Sequence, residues 1–459
     1  MNSKILSPRA GFAWTPSKFH GKAVVRGGAG LLVDPILLPI SGSSPGVGGS
    51  NQVYATLNQP GFSQQTAMQV TGNNYLTPSA TLSNPFPSGI LPPSGSALGV
   101  STNLGSSIAI VDPTIRNPYV VRWELSIQYQ LPKSWVLEVA YVGNRANHLP
   151  IVTQLDYIPA QYLSKSLVRD NTVVNQLTGT TANPFKGLLP NSTSLNGSTV
   201  ALGQLLIPYP QYSLPAVPSP GTPANGVLLQ ENPAGSSYYE SLNVRVQKRL
   251  SNNLTLLNNF AWGRLTDRLA YLNDSDTAPE KRVSSDSRPL RNVLAATYNL
   301  PIGRGRTLNV QNKWLDGVIG GWGMNGILTL QSGPLLGWGN YVYLGGNLDY
   351  NAHQPNSTAF STAQFITASS QQLADNIRYL NNQFNNLRRD ATKQLDVSMT
   401  KNFWYKERAY VQVRLEAFNV TNRVTFGAVN TTPTSTAFGT IGSQANTPRR
   451  LETAVKLVW

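Results

Sequence analysis

At 459 residues the chain is long enough for two or three ordinary domains or for one very large barrel. Its net charge of +15 comes from 36 Lys and Arg scattered along the chain, with no basic run and no recognition-helix pattern, which speaks against nucleic acid as a partner. Only 12% of residues are charged, about half the usual soluble share; zero Cys excludes disulfide frameworks and thiolate metal sites, and no apolar run approaches the ~20 residues of a membrane helix, so only a β-barrel could carry this chain across a bilayer.

In chain order, residues 5–14 and 22–33 predict two strands around a short turn at 15–21. The second carries Gly27-Gly28-Ala29-Gly30. A phosphate-cradling loop would need a helix after it, but Asp34-Pro35 follows, so these glycines read as points where a strand bends or a neighbour comes close. Residues 34–118 read as loop, with one short strand at 53–57. The clearest hairpin comes next. Trp123, Leu125, Ile127, Tyr129 and Leu131 alternate with polar residues, Pro132-Lys133-Ser134 turns the chain, and Trp135, Leu137, Val139 and Tyr141 continue the apolar face. Ten residues of strict alternation suit the ~9–11 of a tilted membrane strand.

Residues 147–236 form a long polar connection, stiffened by prolines from Pro208 to Pro223, in which Tyr209 and Tyr212 are candidates to face a ligand. A second hairpin places Leu242, Val244 and Val246 opposite Asn243, Arg245, Gln247 and Arg249, turns at 251–253, and returns with Leu254, Leu256, Phe260 and Trp262 on one parity. Strands at 290–300 and 322–332 flank a connection at 301–321, and strands at 394–403 and 409–420 flank a turn at 404–408. The last strand sets Leu451, Thr453, Val455, Leu457 and Trp459 against Arg450, Glu452, Ala454 and Lys456. Its final indole suits the height where hydrocarbon meets water.

Connections alternate along the chain. Long ones at 34–118, 147–236, 265–289, 333–389 and 421–447 lie on one side, and shorter ones on the other. That is the pattern of outer-membrane barrels. The fold class is therefore all-β: one unit over 1–459, an antiparallel meander of about eleven long strands forming a partial (half) transmembrane outer-membrane β-barrel with long extracellular loops.

Several phrases carry a family resemblance: Ser7-Pro8-Arg9-Ala10-Gly11-Phe12-Ala13-Trp14, Val25-Arg26-Gly27-Gly28-Ala29-Gly30, Asn117-Pro118-Tyr119, Ala140-Tyr141-Val142-Gly143-Asn144-Arg145, Tyr209-Pro210-Gln211-Tyr212 and Arg414-Leu415-Glu416-Ala417-Phe418-Asn419-Val420-Thr421-Asn422. In this order they resemble the C-terminal barrel of TonB-dependent receptors, in particular the Oar-like subgroup with a carboxypeptidase-regulatory-like domain, abundant in Acidobacteria. The resemblance implies a receptor and transporter in the outer membrane of a Gram-negative cell, taking up an unidentified ligand. It also implies three partners: outer-membrane lipid, the barrel-assembly machinery with Val455, Leu457 and Trp459 as the insertion signal, and the TonB system through an N-terminal plug. No plug, TonB box or secretory leader is legible in the chain, and plugged transporters have about 22 strands. A natural fragment or a mis-called gene start, roughly the second half of a barrel and unable to transport alone, is therefore expected.

No catalytic constellation is legible, and neither an enzyme nor a cofactor is expected. His20, His148 and His353 read as isolated, the first in a turn and the others in loops. Asn273-Asp274-Ser275-Asp276 with Glu280 lacks the turn glycine and the spacing of a calcium loop. Asn-x-Ser/Thr triplets such as Asn191-Ser192-Thr193 are expected by chance in so Asn- and Ser-rich a chain. The polar parity makes Arg122, Glu124, Glu138, Arg245, Arg249, Arg414, Glu416, Arg450 and Glu452 candidates to face a lumen, with charge pairing across strands as their structural role. An alternative reading is a secreted or cell-surface β-rich protein that binds a polysaccharide or other ligand without transport. It differs in one respect: its apolar parity would be buried in a core.

Overall fold

The computed structural model describes residues 6–34, 104–189, 195–212, 226–251, 253–353, 358–380, 383–406 and 409–459, with short pieces between 54 and 101. Ile5, most of the 34–118 connection, the Asn191-Ser192-Thr193 triplet and the prolines from Pro215 to Pro223 lie outside the described residues.

Eleven strands form one wall: β1 (Arg9–Trp14), β2 (Ala23–Val33), β3 (Tyr119–Leu131), β4 (Trp135–Gln154), β5 (Val227–Ser251), β6 (Leu254–Arg268), β7 (Leu290–Asn299), β8 (Trp322–Gln331), β9 (Thr392–Lys406), β10 (Ala409–Phe418) and β11 (Arg450–Val458). Each is antiparallel to its sequence neighbour, and the sheet is not closed: β1 and β11 are its two edges. Two further short strands extend the sheet to thirteen. Arg282–Val283 pairs with β6, and Ile108–Val111 runs parallel to the start of β5. The β3–β4 reversal has Lys133 at φ 58° and Ser134 at φ 62°, the positive-φ pair whose twist matches that of the flanking strands.

Residues opposite one another in a ladder share a face, so the register carries each parity across the wall. One row runs Phe12, Gly27, Leu125, Tyr141, Leu242, Trp262, Leu290. A lower row at the other end runs Thr453, Leu415, Met399, Met324, Tyr298, Leu254. The side chains of this face stand in the open: Trp262 is 59% exposed and Leu451 73%. On the opposite face Ser126 and Ser241 are each only 3% exposed, as expected where a sheet curls toward its polar side and its apolar side fans out. Two glycines on the apolar face let a neighbour come close, Gly27 in the cluster that the sequence singled out and Gly143 outside it. A Cβ on Gly27 would collide with the Phe12 ring, and one on Gly143 with the Trp123 indole, so each aromatic lies flat across a neighbouring strand.

Two expectations are corrected. β4 continues to Gln154 and β5 starts at Val227, so the connection between them is 155–226 rather than 147–236. Pro150 and Pro233 look like strand breakers, but β5 shifts register against β4 from Leu229 to Asn232, to Gly235 and to Ser236, and such irregularities admit proline. The 301–321 connection, to which the sequence reading assigned no element, holds a helix, α3 (Lys313–Ile319). Two earlier helices, α1 (Asn171–Thr178) and α2 (Leu202–Leu206), lie in the 155–226 connection.

The long connections pack on one another. Leu336, Trp338, Tyr341, Leu348, Phe360, Phe365 and Leu387 from 332–391 join Val429 and Phe438 from 419–449 in one buried cluster. Trp338 stacks on Phe365 at 4.9 Å between centroids with the rings 10° apart. The wall itself exposes its apolar side, so the fully buried large side chains (Leu189, Leu336, Leu387) belong to the loops.

The Gly143–Trp123 contact yields a prediction. Gly143→Leu should displace the indole at a cost of about 1–3 kcal/mol. The check is the temperature at which the folded band disappears in unheated gel electrophoresis. An unchanged temperature would refute the close approach.

Candidate functional site

The nine candidates for the polar face occupy two separate places. Arg122, Glu124, Glu138 and Arg245 stand on β3, β4 and β5, where Glu138 lies between Gln128 and Arg245 in the register. Arg414, Glu416, Arg450 and Glu452 stand on β10 and β11, with four strands between the two groups. They do not converge on one centre. The side chain of Arg249 lies outside the described residues.

Charge pairing across strands was the expected role, but the ion pairs formed among these candidates run along strands; the cross-strand pair, Arg282 with Asp267 at 3.0 Å, lies elsewhere. Arg414 meets Glu416 at 3.8 Å and Arg450 meets Glu452 at 2.7 Å. The register explains it: Glu416 faces Glu452 directly, and like charges opposite one another are unfavourable, so each carboxylate turns to the arginine two residues along its own strand. The Arg450 guanidinium also lies over the Phe418 ring, 5.1 Å from its centroid. Neutral amides do the bridging between strands. Arg26 donates to Gln128 at 2.7 Å, Gln412 to Asn402 at 3.0 Å, and Thr297 to Asn325 at 2.9 Å. Val455, Leu457 and Trp459 stand on the apolar parity of the edge strand, and Trp459 is 89% exposed.

Above the strand ends the loops form a cap. The Asn376 amide donates to the carbonyls of Ser166 and Val168 at 3.0 and 3.1 Å, and Arg169 donates to the Gln372 carbonyl at 3.2 Å. Asn273 exchanges two hydrogen bonds with the Arg378 backbone, at 2.7 and 3.1 Å. Segment 372–378 thus ties three connections together. Asn273 also donates through its backbone N–H to Asp276, so the acidic stretch there organises a loop; burial, and then Asp276, push the Asp274 carboxyl up. Among the described residues no three His, Asp or Glu converge as metal ligands.

Two of the three histidines depart from the sequence reading, His148 in its place and His353 in its partners. His148 lies within β4 and meets Tyr119 edge-on at 5.1 Å. His353 is not isolated: its Nε2 is 3.0 Å from Asp390, which also accepts from Arg423 at 3.4 Å and from the Phe426 N–H at 3.0 Å. That cluster fastens the base of the aromatic cap. Asp390 spends its acceptors on loop backbone, arginine and His353. A cavity of about 600 Å³ lies beside the middle of β4 and β5 and the loop-side end of β6, with Tyr141, Glu240, Trp262, Arg264, Ser287 and Arg388 in its lining. It draws on both parities of the wall and on two connections. There Tyr141 and Tyr238 both donate to Glu240, at 3.5 and 3.3 Å.

Sequence reasoning passed over Asp156, which is fully buried in the 155–226 connection. Its Oδ1 accepts from the Tyr209 N–H at 2.9 Å, and its Oδ2 has no partner. Burial pushes this carboxyl up to about 6 against the pull of that hydrogen bond. The folded loop therefore keeps a proton that the unfolded loop has already lost from pH 4 upward. Loop stability should be full below about pH 4 and decline as pH rises through about 6, by at most about 3 kcal/mol. Asp156→Asn should flatten this profile, read as hydrogen exchange across 155–212 between pH 4.5 and 7.5. The same slope in the variant would exclude Asp156 as the cause.

The model of the outer membrane beta barrel domain family matches residues 1–452. Among solved structures, the outer membrane transporter YddB from Escherichia coli is similar over 99% of this chain and 40% of its own, with a TM-score of 0.44 and 9% identity. The FrpB iron transporter from Neisseria meningitidis gives 98%, 39%, 0.40 and 9%. The siderophore receptor PirA from Acinetobacter baumannii gives 99%, 41%, 0.39 and 9%. The chain spans about two fifths of the length of these proteins. No curated protein matches it in sequence.

Proposed function

We propose, for a chain that belongs to the outer membrane beta barrel domain family and resides in the outer membrane, that it forms part of the wall and the outer cap of a TonB-dependent receptor. The observation that carries this reading is the two-faced wall: eleven strands keep one apolar and one polar face in register, with the longest connections, 34–118, 155–226, 332–391 and 419–449, all at one end. The apolar face suits hydrocarbon, the polar face a lumen, and the capped end the cell exterior. Uptake through the wall would follow the family resemblance carried by the Ala140–Arg145 and Arg414–Asn422 phrases, with TonB engaged through a plug. A soluble binding protein would cover the apolar parity with a core, whereas Trp262 and Leu451 stand open.

The open edges sharpen the proposal. Unpaired backbone groups along β1 and β11 would each cost several kcal/mol in hydrocarbon. The chain alone is therefore proposed to be incompetent for transport, and to work only where further strands meet both edges.

Topology and conductance test this reading. The chain has no Cys, so single cysteines report cleanly. Given a signal sequence in a Gram-negative host, Leu344→Cys in the cap should react with an impermeant maleimide on intact cells, and Arg306→Cys only after the outer membrane is opened. Purified chain alone should give no steady single-channel conductance in a planar bilayer. Equal labelling of both sites, or a stable pore, would count against the proposal.

The terminal strand gives a second test. Trp459→Asp would place a carboxylate where the interfacial indole stands, and should lower the amount of membrane-integrated protein severalfold while secretion is unchanged. Wild-type integration would show that Val455, Leu457 and Trp459 are not an insertion signal.

A further inference from the structure

The helix α3 lies outside the wall, on the short-connection side. Its place is fixed by two side chains of the apolar parity that face one another across β8 and β9, Trp322 and Lys401. The Trp322 indole N–H donates to the Val318 carbonyl at 2.9 Å. Lys401 donates to the carbonyls of Asp316 and Gly317, the latter at 2.6 Å, and its ammonium lies 5.9 Å from the Trp322 ring and 5.0 Å from the Phe403 ring. The helix is thus pinned by its last turn, with a cation at the negative end of its dipole.

What the helix shows to its surroundings is unusual for a short connection. Trp314 is 88% exposed and Val318 68%, and Leu315 and Ile319 are exposed beside them. At 100° per residue these four occupy one continuous arc, whereas Asp316 points the other way, where its carboxylate accepts from the Arg304 N–H at 3.0 Å. Asn312 caps the start, accepting from the N–H groups of Trp314 and Leu315. The apolar arc adjoins the apolar face of the wall, at the end where Trp459 and Tyr405 also stand exposed. The same connection carries Arg304, Arg306 and Lys313 against Asp316 alone, a cationic surplus suited to anionic headgroups.

We propose that α3 is a membrane-interface anchor, seated in the boundary between headgroups and acyl chains of the phospholipid leaflet on the short-connection side. Trp314, Leu315, Val318 and Ile319 enter the leaflet, and Arg304, Arg306 and Lys313 meet its phosphates. The inference rests on the membrane-spanning reading of the wall, and the experiment separates the two.

Because the chain has no cysteine, nitroxide labels are placed one at a time through Val318→Cys on the arc, Lys313→Cys off it, and Leu125→Cys on the apolar wall. Outer membranes are isolated from cells producing the full chain. Accessibility to oxygen, which concentrates in lipid, is compared with that to a water-soluble nickel chelate. The expected result is an oxygen preference at 125 and 318, several times that at 313. Equal accessibility at 318 and 313, with 125 in lipid, overturns the anchor while leaving the wall intact. Water-like values at 125 overturn the membrane-spanning reading and the anchor with it.

Discussion

Everything in this structure depends on the backbone hydrogen-bond ladder. Hydrocarbon offers no partner to an N–H or C=O group, so a chain placed there must satisfy each one within its own sheet. Once the ladder is fixed, side chains have only two directions to take, and the sequence fills them with opposite chemistry. The row from Phe12 through Leu125 and Trp262 to Leu290 is the outcome on one side, and the row of Gln128, Glu138, Arg245 and Asn259 on the other.

The wall and its cap are stabilised by different means. Within the wall, side chains contribute less by burial than by fitting one strand to the next, as when Trp123 lies across Gly143. The cap is an ordinary aqueous mini-core, with Trp338 among Tyr341, Phe360, Phe365, Phe384 and Phe438. Hydrogen bonds from Asn376, Arg169 and Asn273 then fix the connections to one another. The cap is thus one preassembled surface rather than a set of independent loops.

The wall was legible because its signal has period two and repeats: five apolar residues in alternation from Trp123 to Leu131, with shorter or interrupted runs of the same period in β5, β6 and β11. The upper parts of β4 and β5 were not, because Pro150 and Pro233 look like turns unless the register shifts that admit them are known. The helix α3 was hidden by its length of seven residues, although Asn312 before it and Gly320 after it are ordinary boundary residues. For the site, parity could not show that Glu416 and Glu452 would face each other and so redirect their arginines. The cap's aromatic cluster joins residues about a hundred positions apart with no periodicity, and the burial of Asp156 follows from that kind of long-range packing.

The parallel pairing of Ile108–Val111 with the first residues of β5 bears on how the molecule assembles. Hairpins such as β3–β4 and β5–β6 close by a local search. This short segment must instead wait for a partner roughly 120 residues downstream, as β4 must wait for β5, and contacts of that separation form slowly. The hairpin of β3 and β4 will stand complete before β5 offers its free edge. The first long connection therefore docks late, as a latch closed onto a wall already built.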